Sequence, residues 1–139
     1  MILFQNHLII LDYNPSTDIL SVDWPNVNSY DLLEIERSLS ILVDYIRSYD
    51  VKRLLIDSSK TVIHPDIDRT TYLDIVTRFA KNLQNTRLQK SASILHTDTI
   101  RQQESEQISE EVTSKVELKI QSQTFATKKA ALEWLKQEG

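Results

Sequence analysis

Nine residues in the middle of the chain, Val51 to Ser59 (VKRLLIDSS), constrain the fold more than any other stretch. They carry three consecutive aliphatics, Leu54, Leu55 and Ile56, and run straight into a polar turn. On each side lies a segment of about twenty residues with helical periodicity. A short apolar run between two amphipathic helices reads as a strand buried on both faces, the centre of a βαβ-type sheet.

Glycine is nearly absent: the one glycine is Gly139, the last residue. Loops that close backbone amides on a phosphate need glycine. A P-loop, a dinucleotide-binding fingerprint and a nucleophile elbow are therefore excluded. Turns with positive φ must fall to Asn or Asp, and Asn6, Asn14, Asn26, Asn28, Asp50 and Asn85 stand between the periodic segments. The absence of cysteine removes disulfides and thiolate chemistry. At 139 residues the chain reads as a single domain spanning 1–139, long enough to bury about two-thirds of its unfolded surface. A net charge of −4 argues against a nucleic-acid partner, which would need clustered Lys and Arg. No apolar run reaches membrane-spanning length and the N-terminus has no basic leader, so a cytoplasmic location is expected.

Taken in order, Leu3–Leu11 and Asp18–Trp24 flank the turn chemistry of Asn14-Pro15-Ser16-Thr17 and read as an opening β-hairpin. Asp31 starts a helix, with Glu34 as a capping-box partner and Leu32, Ile35, Leu39, Leu42 and Ile46 on one face. Asp50 closes it. Beyond the central strand, Pro65 suits the first turn of a second helix, with Asp66 and Asp68 at its positive end. Ile67, Tyr72, Val76, Phe79 and Leu83 form its buried stripe, and Asn85 its C-cap. A strand over 88–96, a polar helix over 99–115, an edge strand over 116–125 and a last helix capped by Thr127 complete the chain. The expected fold is α/β: a mixed, mostly parallel five-stranded sheet in the order ββαβαβαβα, with about four helices.

Several groups carry chemistry. Asp57-Ser58-Ser59 leaves the C-terminal end of the central strand, the edge where ligands collect in open α/β sheets. Ser58 and Ser59 are candidate phosphorylation sites, against the simpler reading that Asp57 and the hydroxyls cap the turn. His64, Asp66 and Asp68 offer metal-ligand types, but at a helix start where Asp is favoured for its charge alone. No metal or other cofactor is expected. Val62 and Ile63, apolar in a loop at that edge, mark either a contact surface or a staple over the following helix. Trp24 and Trp134 read as core.

The opening hairpin, the strand Arg53–Asp57 and the ending Phe125-Ala126-Thr127…Ala131-Leu132-Glu133-Trp134-Leu135 together resemble the STAS superfamily of anti-sigma-factor antagonists. They are more closely similar to stand-alone bacterial STAS-like proteins that share features with the Sec14 lipid-binding fold. The resemblance implies a sheet with helices, no cofactor, and signalling by protein contact. In the antagonists a serine near an Asp-Ser-(Ser/Gly)-Gly-Leu motif is phosphorylated. Here Asp57-Ser58-Ser59 is followed by Lys60-Thr61, and by topology the equivalent region lies nearer Val62 to Asp66, where no serine stands. The switch is therefore not carried over and is a hypothesis for Ser58 or Ser59 alone. The expected function is a non-enzymatic regulatory or signalling module that presents Asp57, Val62, Ile63 and His64 to a protein partner or a second copy. The alternative is a carrier of a small apolar ligand or lipid.

Overall fold

The computed structural model describes residues 1–94, 103, 106–108, 110–112 and 119–137. These form an α/β fold around a mixed sheet of six strands rather than five, in the spatial order β1-β2-β3-β4-β5-β6. The strands are β1 (Ile2–Gln5), β2 (Ile10–Asn14), β3 (Ile19–Asp23), β4 (Arg53–Asp57), β5 (Lys90–Ile94) and β6 (Gln121–Phe125). The helices are α1 (Leu32–Ser48), α2 (Arg69–Leu83) and α3 (Lys128–Lys136), and the described residues between 103 and 112 are also helical.

The extra strand comes from the N-terminus, where one long strand was expected and two antiparallel ones form. Asn6 makes the break. Its side-chain oxygen accepts from the N–H groups of Leu8 and Ile9, both at 2.8 Å, and so turns the chain. Its amide donates at 3.0 Å to Ser38, buried on α1, which pins the turn to the helix. β2 and β3 pair antiparallel, whereas β3, β4, β5 and β6 run parallel. Strands that follow one another in space as in sequence need crossovers on one face, and α1 and α2 both pack on that face.

The main core lies there. Leu11, Leu20, Val22 and Leu54 from the sheet meet Ile35, Leu39, Leu42 and Ile46 from α1 and Tyr72, Ile75 and Phe79 from α2. Leu32 joins them, so the whole expected stripe of α1 is buried. The opposite face is covered by the short α3, whose Ala131 and Leu135 pack on Ile19, Leu55, Ala92 and Ile94. Leu54 and Leu55 therefore point into two different cores, as a strand buried on both faces requires. Lys90 on β5 is itself buried. Its ammonium donates to the carbonyls of Trp134 and Gln137 at 3.2 and 2.6 Å and lies 5.0 Å from the Trp134 ring centre.

Helix ends depart from expectation in instructive ways. α1 closes at Asp50 with φ 51°, whose N–H donates to Arg47 while that of Val51 reaches back to Ile46. This is the paired closure of a Schellman motif, with Asp in the place glycine would take. The other positive φ among the described residues is at Asp18, not at any of the expected asparagines. Asp18 tolerates it because its carboxylate is engaged on both sides, accepting from Tyr13 at 2.7 Å and from the Lys52 N–H at 3.3 Å. The capping box of α1 does not form. A 3₁₀ turn over Ser29–Asp31 precedes the helix, Asp31 accepts from Asn28, and Glu34 pairs with His7 instead. α2 begins at Arg69, after Pro65 has been spent in a turn closed by Ile67 on His64. Asp68 is its N-cap, accepting from Thr71. Gln84, rather than Asn85, is its C-cap. Thr127 caps α3 as expected, accepting from Ala130. β6 is the sheet edge but spans only Gln121–Phe125, preceded by the buried Ile120. His96, Ile100, Val116 and Leu118 lie outside the described residues.

Candidate functional site

The C-terminal ends of β3 and β4 lie in register, with Asp23 opposite Asp57. Beyond them the two loops continue side by side. The Trp24 N–H donates to the Asp57 carbonyl at 2.9 Å, the Val27 N–H to Val62 at 2.9 Å, and the His64 N–H back to Val27 at 2.8 Å. Asn26 receives the Val62 N–H, and Thr61 donates its hydroxyl to the Trp24 carbonyl. A bridge between Val27 and Ile63 thus extends the parallel pairing past the strands.

This stitching decides the role of each candidate. Asp57 accepts both the N–H and the hydroxyl of Ser59, at 2.9 and 2.6 Å, and so builds the turn locally. A phosphate on Ser59 would stand against that carboxylate. Ser58 lines the groove described below. Val62 is exposed, whereas Ile63 is half-buried and packs on the main core. His64 is exposed, and its Nδ1 accepts from the Asp66 N–H at 3.2 Å. Because Asp68 caps α2, His64, Asp66 and Asp68 do not assemble. The metal-capable cluster among the described residues is elsewhere: His7, Asp31 and Glu34 bring donor atoms within 4.8 Å of one another. His7 and Glu34 are already an exposed pair at 2.8 Å. The cluster also stands at the positive end of α1, which disfavours a cation.

Two concavities open from this edge. A polar basin of about 410 Å³ is lined by His7, Asp23, Asp31, Asp57 and Lys60. A larger groove, about 600 Å³, lies between α2 and β4–β6. Its roof is apolar, from Val76, Phe79, Ala80 and Leu83 of α2 with Ile108 and Val112 beyond it. Its floor is the face of β4, β5 and β6 that carries Ile56, Ser91, Ser93, Ser122 and Thr124. Trp24 closes one end, 5.7 Å from Phe79 between ring centres, and its indole N–H donates to the Tyr72 hydroxyl at 2.9 Å. The groove is open to solvent rather than closed.

The groups with shifted titration are not in the polar basin. Tyr72, on the groove, is pushed up to about 12 by burial, against a small lowering by the Trp24 hydrogen bond. Tyr13 is raised to about 12, first by its hydrogen bond to the Asp18 carboxylate and then by burial. Asp68 is lowered by the Thr71 N–H that it accepts.

The groove residues Ser91, Ser93, Ser122 and Thr124 were not singled out in the sequence, and Tyr72 was read only as part of the buried stripe of α2. A signal was there. Alternate positions of β5 and β6 carry small hydroxyls where a strand covered by a helix would carry aliphatics. Searches against protein-family models and among curated proteins found no match. Among the described residues no helix is long and apolar enough to cross a membrane.

Proposed function

We propose that this chain is a non-enzymatic binding module that carries a small apolar ligand between α2 and the sheet. The observation that carries the reading is the groove of about 600 Å³ with an apolar helical roof. Small-molecule pockets fall in this size range with this kind of lining. The features that the chain shares with the Sec14 lipid-binding fold support the same reading, whereas the STAS resemblance favours the one that follows.

A second reading, a regulatory module acting by protein contact, draws on another observation. Tyr30, Leu33 and Val62 are 85%, 61% and 40% exposed on the stitched loops and the start of α1. Exposed apolar groups gathered in one region suit a protein partner or a second copy.

Native mass spectrometry of protein purified gently from its own cells separates the two. A protomer carrying an added mass of roughly a few hundred daltons, the size such pockets accept, supports the carrier. Bare protomers refute it, and a dimer or a stoichiometric protein partner in their place supports the contact module.

A further inference from the structure

The chemistry of the groove floor narrows the ligand class. Ser91 on β5 is directly opposite Ser122 on β6, and Ser93 is directly opposite Thr124. The four side chains share the face under α2, since the intervening Lys90, Ala92 and Ile94 are buried in the layer against α3. Their hydroxyls make no hydrogen bond to another described residue. Tyr72 adds a further group. Its oxygen accepts from Trp24, which leaves its own O–H to donate, and no described residue accepts it. Its high pKa keeps that proton in place. Among the described residues the lining includes Glu106 and Glu110 but no Lys, Arg or His.

A patch of hydroxyls facing an apolar roof matches a molecule that is itself two-faced. Oxygens on one side would replace the water that the hydroxyls otherwise hold, while hydrocarbon on the other side meets α2. A carboxylate or phosphate would lie beside Glu106 and Glu110 with no cation among the described lining residues to pair it. We propose that the groove selects an uncharged amphipathic lipid whose polar part bears hydroxyl or carbonyl oxygens, as an acylglycerol or long-chain alcohol does, over fatty acids and other anionic lipids. This rests on the carrier reading of the same groove.

The test uses the whole chain with Trp134→Phe, which leaves Trp24 as the sole indole reporter at the groove end. Fluorescence titration compares 1-monolauroylglycerol with laurate, both below micelle formation and at about pH 8, where the carboxylate is ionised. The expected result is that the glyceride binds at least about tenfold more tightly. Ser93→Ala with Thr124→Val should then weaken the glyceride about tenfold, through lost hydrogen bonds, and leave laurate unchanged. Equal or tighter binding of laurate, or a glyceride affinity indifferent to the double substitution, overturns the ligand class while leaving the carrier reading intact. If neither probe binds, the carrier reading fails and this inference falls with it.

Discussion

Asp50 shows how much a single side chain carries in a chain whose one glycine is its last residue. It sits at φ 51° in the closure of α1, where a residue with a Cβ costs about 1 kcal/mol relative to glycine. Its carboxylate meets Lys52 at 3.2 Å and Arg87 at 3.5 Å, both exposed pairs of small worth. Asp50→Gly is therefore expected to be neutral or stabilising by up to about 1 kcal/mol, and Asp50→Val destabilising by more than that, in urea titrations. Lys90 is the opposite case, a buried cation satisfied by the last carbonyls of α3 and the Trp134 ring. Lys90→Ala should cost about 2–3 kcal/mol, combining lost charge-assisted bonds with a cavity. Lys90→Met, which keeps the stem, should recover part of it. A Lys90→Met variant no more stable than Lys90→Ala would show that the stem contributes nothing.

Among the elements, α3 depends most on its ends, because nine residues are too few for a helix to hold alone in water. Thr127→Ala removes its N-cap and should cost about 1 kcal/mol. Hydrogen exchange should then quicken along Lys128–Lys136 before it does so in α1. The stitched loops that follow β3 and β4 make a different prediction for neighbouring residues. Val62→Asp changes an exposed side chain and should leave the melting temperature within a few degrees. Ile63→Asp puts a charge on the edge of the main core and should destabilise by about 2 kcal/mol or more. Of the two readings open for this pair, contact surface or staple, Ile63 fits the inward one, half-buried and packed on the main core beside the Val27 bridge. A contact surface at this edge must therefore be built on Val62, Tyr30 and Leu33.

For the whole molecule, alkaline stability follows from two tyrosines. Tyr13 and Tyr72 hold their protons to about 12 when folded and release them near 10 when unfolded. Their contribution is thus complete below pH 10 and is lost as the pH rises towards about 12. The urea midpoint should stay level to about pH 10 and then fall. Tyr72→Phe should start from a lower midpoint, having lost the acceptor for Trp24, but fall less steeply above pH 10. An unchanged slope would show that Tyr72 titrates normally in the folded state.

The apolar periodicities were legible because they are local. The buried strand Arg53–Asp57, the stripe of α1 from Leu32 to Ile46, the Thr127 cap and the closure at Asp50 follow from residues close in sequence, whose spacing alone sets which face they share. Those signals determined an α/β fold with a mixed, mostly parallel sheet. What they left out depends on partners far along the chain. Asn6 divides the first strand while its amide reaches Ser38, and Glu34 abandons its cap for His7. The groove exists because serines and a threonine on β5 and β6 are brought opposite one another beneath α2. Serine alternating along one strand has no meaning for a ligand until strand register aligns it with the next. That register, and so the site, was decided by the tertiary structure alone.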